Sequence, residues 1–225
     1  MTGTVALYNR EGKRLYTMYL GATPEAGKAT FLARLTREIE RMKTRYPQAT
    51  FVGVADGAQT NWDYLGNHVS VQILDFYHAS GYLAAVATAS YPQDNAKRHF
   101  WLKEMCHQLK HSPNAAEQLL KVMKTLQQDD SLSEDHQKDL QKSVTYFQNH
   151  HQQMAYDQYQ QQQYPIGSGV TEAACKTLIK QRFCRAGMRW KDKGAKAILS
   201  LRELVLTPIR WDQFWSNIDE QGVVA

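Results

Sequence analysis

Two short apolar runs, residues 50–55 (TFVGVA) and 69–74 (VSVQIL), each stop on an aspartate, Asp56 before Gly57 and Asp75 before Phe76-Tyr77-His78. Such runs suit strands covered on both faces, as in a parallel sheet, and their terminal carboxylates emerge at the C-terminal edge where α/β proteins bind ligands. Beyond His78 the apolar spacing turns helical, over residues 79–90, 95–110, 115–127 and 133–156, and no clear strand interrupts it. The order excludes an all-β or all-α fold and predicts an α/β protein with an all-helical insertion.

The flanking segments agree. Residues 4–8 and 14–20 are β-prone runs around Asn9-Arg10-Glu11-Gly12-Lys13, which reads as a hairpin. Phe31, Leu32, Leu35, Ile39 and Met42 recur at helical spacing before Pro47 and predict an amphipathic helix over residues 24–46. The Gln-rich stretch 152–163 fits a frayed helix end or a linker. Tyr164-Pro165-Ile166-Gly167-Ser168-Gly169 reads as a loop, followed by a helix over 170–183 with Ser168 or Thr171 as cap and Glu172 in the first turn. A last helix is expected over 194–206, with Trp211, Phe214 and Trp215 docking the tail on the core.

Charge is unevenly spread. The net charge is +5, but residues 176–202 hold nine Lys or Arg against Asp192 alone, a local +8 that leaves −3 elsewhere. Such concentration favours an anionic partner, with nucleic acid the natural candidate; a solvated helix face is the bland alternative. Cys106, Cys175 and Cys184 form no C-x-x-C pair and suggest neither a disulfide framework nor a zinc knuckle. No apolar run approaches the length of a membrane span and the N-terminus has no signal core, so the expected location is cytoplasmic, without membrane contact.

Three places carry acid–base or metal chemistry by residue type. Asp56 is either a strand-end carboxylate facing a site or an ordinary turn aspartate. Asp75 and His78, three apart at a helix start, share a face and can act jointly; the alternative is an N-cap aspartate with a buried histidine. Glu172 follows Gly167-Ser168-Gly169, where the backbone can approach a phosphate closely, or it simply caps its helix. If Asp56 and Glu172 converge, they offer hard oxygen ligands to Mg²⁺ and suit phosphoryl transfer, although two acids are marginal for a two-metal centre.

Read together, GVADGAQTNWDYL (53–65), ILDFYHASGYL (73–83) and PIGSGVTEAACKTLIKQRFCRAGMRW (165–190) resemble bacterial insertion-sequence transposases of the ISKra group, and the resemblance extends to LRELVLTPIRWDQFW (201–215). It implies an RNase H-like mixed sheet with a DDE triad, in which Asp56 matches the second acidic position and Glu172 the third. Both become expected catalytic and metal-binding residues, with Mg²⁺ or Mn²⁺ as cofactor. Asp75 and His78 match the family's D-x-x-H motif in a supporting role. Independently of the resemblance, Lys176, Lys180, Arg182, Arg185, Arg189 and Lys191 with Trp190 are the residues expected to bind DNA, by phosphate contact and stacking, with DNA as the partner and the chain nucleoid-associated.

In that fold the first aspartate lies on a strand ahead of the hairpin with which this sequence opens. Glu11, in the hairpin turn, is no substitute. The expectation is therefore an N-terminally truncated core in three segments: 1–90, the core without its first strand; 91–163, the helical insertion between the second and third acidic positions; and 164–225, the final helices with the basic segment. The parent activity would be metal-dependent DNA strand cleavage and transfer, with the chain inactive alone. The alternative is a non-catalytic DNA-binding or interaction protein derived from a transposase. An unpaired sheet edge would favour self-association or pairing with a full-length transposase. Translating the DNA upstream of Met1 in all frames checks the truncation: a strand ending on an aspartate there is the outcome expected of a split gene.

Overall fold

The computed structural model describes residues 1–128 and 132–222. In chain order the elements are β1 (Thr2–Tyr8), β2 (Arg14–Gly21), α1 (Lys28–Arg45), β3 (Val52–Ala55), α2 (Gln59–Leu65), β4 (Val71–Leu74), α3 (Phe76–Ser90), α4 (Asn95–His111), α5 (Ala115–Leu126), α6 (Glu134–His150), α7 (Tyr156–Gln161), α8 (Gly169–Ala174), α9 (Gln181–Phe183), α10 (Asp192–Leu206) and α11 (Pro208–Gln221). A π-helical turn, Cys175–Lys180, joins α8 to α9. The protein is mixed α/β and mostly helical, and its strands form two separate two-stranded sheets. By packing, the chain divides into two units, one of residues 1–49 with 169–225, the other of residues 50–168.

The first unit is built on the β1–β2 hairpin, antiparallel from Thr2 opposite Gly21 to Leu7 opposite Tyr16. Its turn is held by Asn9, whose Oδ1 accepts from the backbone of Glu11 (3.1 Å) and Lys13 (2.8 Å), so Glu11 does sit in the turn. Phe31 of α1 is buried with Met18 and Leu20 of β2, and Leu32, Leu35 and Met42 complete this core. A second small core joins Ala174 and Leu178 to Leu199 of α10, with Tyr19 and Leu206 against it.

Polar groups fasten the hairpin to the C-terminal helices. Glu203, 4% exposed, accepts from the Gly21 backbone N–H and from Arg34 (2.6 Å), and Arg34 also donates to the Gly21 carbonyl (3.0 Å). Burial pushes the Glu203 carboxyl up, while the Gly21 N–H and Arg34 pull it down. Thr4 and Thr171 share a hydroxyl hydrogen bond of 2.7 Å. Arg202 reaches back to the carbonyls of Thr177 and Leu178 in the π-helical turn, satisfying acceptors that the widened turn leaves out of register.

The second unit holds β3 and β4, parallel and in register from Val52 opposite Val71 to Ala55 opposite Leu74. Among the described residues no strand follows β4. Helices α3 to α7 bury Leu83, Val86, Leu119, Met123, Leu140, Val144, Phe147 and Tyr156 with Ile73 and Leu74 of β4 in one core. The Tyr156 hydroxyl donates to the Leu74 carbonyl (3.0 Å), satisfying a buried polar group inside that core.

Three local expectations are corrected. The long helix expected over 133–156 ends at His150, runs through a short 3₁₀ turn and resumes as α7. Ser168 and Thr171 do not act as the expected cap of α8: the Ser168 hydroxyl donates to Asp75, and that of Thr171 is shared with Thr4. The C-terminal aromatics do not dock on the core. No residue of α11 is buried, Phe214 and Trp215 are exposed, and Trp211 packs against both (6.4 and 5.5 Å between ring centroids).

Glu203→Ala leaves the Gly21 N–H and the Arg34 guanidinium without their shared acceptor and is expected to cost about 3 kcal/mol, read as a lower urea midpoint with an unchanged slope. A loss under about 1 kcal/mol would show that the carboxylate does not hold the hairpin in place.

Candidate functional site

Both aspartates singled out by the sequence lie at the C-terminal edge of the β3–β4 pair, where the strands have buried their apolar length and release polar side chains. They do different work there.

Asp56 is exposed. Its Oδ1 accepts from the Ala58 backbone N–H (3.2 Å) and the Asn61 side-chain amide (3.1 Å), and its carbonyl accepts from the Tyr146 hydroxyl (2.9 Å). Gly57 follows at φ +97°, and a Cβ there would stand 3.1 Å from His150 Nε2 and from the Tyr146 ring. Gly57 is thus required by a left-handed turn under two ring side chains.

Asp75 is buried, 2% exposed. One oxygen caps α3 by accepting from the backbone of Tyr77 (2.7 Å) and His78 (3.1 Å); the other accepts from Ser168, through its backbone N–H (2.7 Å) and its hydroxyl. Phe76 N–H donates to the Ile166 carbonyl (2.9 Å), and a Cβ on Gly167 would come within 2.9 Å of the Tyr77 ring. The D-x-x-H segment and the Gly-Ser-Gly loop, distant in sequence, are zipped together. Of the two readings of Asp75, the geometry selects the cap and adds the loop clamp that spacing alone did not reveal.

His78 is exposed rather than buried, so the second half of that alternative does not hold. It starts a chain of aromatic contacts that runs to Tyr82 and Tyr146, which stack at 3.8 Å, then to His150 and Trp62. Burial holds the Tyr146 phenol well above its ordinary value and lowers that of the His150 imidazole. Trp62 and Tyr82 lie within the quoted motifs without being singled out there, and no sequence signal marked Tyr146 or His150; the four sit on three different helices and meet only through packing.

Glu172 belongs to the other unit. It is exposed in the first turn of α8, just ahead of the π-helical turn. Lys176, Lys180, Arg185, Arg189 and Lys191 follow it, all exposed. Arg182 and Trp190 differ: the guanidinium lies over the indole (4.9 Å), and Phe183 packs against the same ring (5.0 Å), so Trp190 is engaged within its own unit.

The donor set for a metal is thin. Asp75 has both oxygens occupied by hydrogen bonds, and among the described residues no group of three or more His, Cys, Asp or Glu gathers to hold an ion. Two-metal phosphoryl transfer calls for a bridging carboxylate and further oxygen donors, which this set does not supply.

Compared with family models, curated proteins and solved structures, the chain matches none. No helix among the described residues is long and apolar enough to cross a membrane.

Two outcomes follow. Asp75→Ala removes a helix cap and the loop clamp together and should cost about 3 kcal/mol in urea unfolding, whereas a cost within 0.5 kcal/mol would contradict the clamp. His150 has a folded value below its unfolded one of about 6.5, so the stability it contributes is complete above that pH and lost as pH falls through the folded value. The unfolding midpoint should therefore drop on acidification below about pH 6.5, and less in His150→Phe.

Proposed function

We propose that these 225 residues carry the second and third acidic positions of a DDE-type transposase of the ISKra insertion-sequence kind, on an RNase H-like core, and that as they stand they bind DNA without cleaving it. The observation that carries the reading is the join between two motifs: the Asp75-x-x-His78 segment is hydrogen-bonded to the Gly-Ser-Gly loop that leads into the Glu172 helix. Both motifs belong to the resemblance, and a shared structural role explains why they occur in one chain. Asp56 supports it, being an exposed carboxylate at the C-terminal edge of a parallel strand pair.

In this reading the parent transposase performs metal-dependent strand cleavage and transfer, with Mg²⁺ or Mn²⁺ held in part by Asp56 and Glu172. Asp75 and His78 support the site without touching the metal, Asp75 through the hydrogen bonds it already makes. Two carboxylates do not make the complete centre, so no chemical step is assigned to this chain.

The exposed cations on residues 176–191 favour the DNA-binding half of the proposal, in which the chain acts as a non-catalytic binding or interaction protein. Lys176, Lys180, Arg185, Arg189 and Lys191 contact phosphates, while Arg182 and Trp190 brace each other and shape the segment. Self-association or pairing with a full-length transposase is compatible with this role.

Binding to duplex DNA of unrelated sequences should weaken steeply with salt, and replacing those five exposed cations by Ala should lower the log–log slope by up to about 4.5, at about 0.9 per phosphate contact. Undiminished binding would refute the role of the segment. Mg²⁺-dependent cleavage that disappears in both Asp56→Ala and Glu172→Ala would refute the claim that the chain does not cleave.

A further inference from the structure

Helix α4 carries two histidines one turn apart, His107 and His111, at its C-terminal end. Residues four apart on a helix stand about 5–6 Å from Cβ to Cβ and share a face. Both side chains are exposed, and their rings lie 4.7 Å apart between centroids at a tilt of 48°. Among the described residues neither ring makes a hydrogen bond. His99 and His151 differ: the Nδ1 of each lies 2.9 Å from a backbone carbonyl of the preceding turn, that of Asn95 and that of Gln148.

The ring separation is the one that two imidazoles take up on a single ion. With a metal–nitrogen bond of about 2.0–2.1 Å and a ring centre about 1.15 Å beyond the nitrogen, two such rings have centres about 4.5 Å apart when the bonds meet at a right angle and about 5.2 Å apart at the tetrahedral angle. The observed 4.7 Å falls between the two. Turning an imidazole about its Cβ–Cγ bond leaves the ring centre in place, because that axis runs through it, and the terminal torsion of histidine is broad. The nitrogens therefore reach a common point without movement of the helix.

The backbone beneath the pair is already fixed. Leu109, 1% exposed, anchors the same turn in the core, and the Gln160 side chain of α7 donates to the Lys110 carbonyl (2.6 Å). The Lys110 ammonium is taken up over the Phe76 ring (5.8 Å), and Lys103, one turn before His107, has Glu104 beside it. The C-terminal end of a helix itself favours a cation.

We propose that His107 and His111 chelate one divalent transition ion of the kind that imidazole binds, Cu²⁺, Ni²⁺ or Zn²⁺, with water on the remaining positions. Nitrogen donors discriminate against Mg²⁺, which takes oxygen ligands. The site is separate from Asp56 and Glu172 and does not rest on the transposase reading. Two donors make an open, exchangeable site, and an ion that bridges one turn holds the end of α4 in its helical form.

The test is a calorimetric titration of the full chain, free of any histidine tag, with NiCl₂. The expected result is a Ni²⁺ site that His107→Gln and His111→Gln each weaken by about tenfold or more, with the double variant no weaker than either single one, because a chelate fails when one arm is lost. His99→Gln leaves the affinity unchanged. Saturating Ni²⁺ raises the thermal unfolding midpoint of the parent chain and not that of His111→Gln. An absence of Ni²⁺ uptake at millimolar concentration overturns the proposal. So does an unchanged isotherm in either single variant, or equal uptake of Mg²⁺.

Discussion

The Asp75 carboxylate is the constraint on which most of the candidate site depends. A buried carboxyl is tolerated only when its oxygens are hydrogen-bonded, and here four donors reach them, two from the first turn of α3 and two from Ser168. Because the donors come from separate stretches of chain, the same side chain that starts a helix also fixes the last residues of the unit. The direction of α3, and hence the position of His78 and Tyr82, follows from the cap. The placement of the loop ahead of α8 follows from the other oxygen. An aspartate whose spacing allows either joint action with His78 or a helix cap therefore acts through hydrogen bonds, and has no lone pair to spare for an ion.

The basic segment shows a comparable division of labour. Concentrated positive charge destabilises itself unless it is solvated or paired, and the nine cations of residues 176–202 do not share one environment. Arg202 is turned onto carbonyls of the π-helical turn and Arg182 onto the Trp190 ring, where planar guanidinium groups suit both tasks. Lys176, Lys180, Arg185, Arg189 and Lys191 stay in solvent, available to an anion. A cleft beside Asp56 has the opposite character, uncharged apart from Asp63 and rich in carboxamides.

The sequence by itself determined the elements and their order. Alternation and helical spacing are local properties, so the hairpin, the two strands ending on aspartates, the amphipathic α1 and the helical block after His78 were all legible, to within a few residues. Charge concentration was legible for the same reason, since it is carried by a contiguous stretch. Tertiary structure alone decided what joins those stretches. The link between Asp75 and Ser168 spans 93 residues, and the ring cluster of Trp62, Tyr82, Tyr146 and His150 draws on three helices. Periodicity reports which face of an element is buried, but not which distant residue meets it; that is set by packing, where each polar group brought out of water must find its partner wherever the fold has placed one.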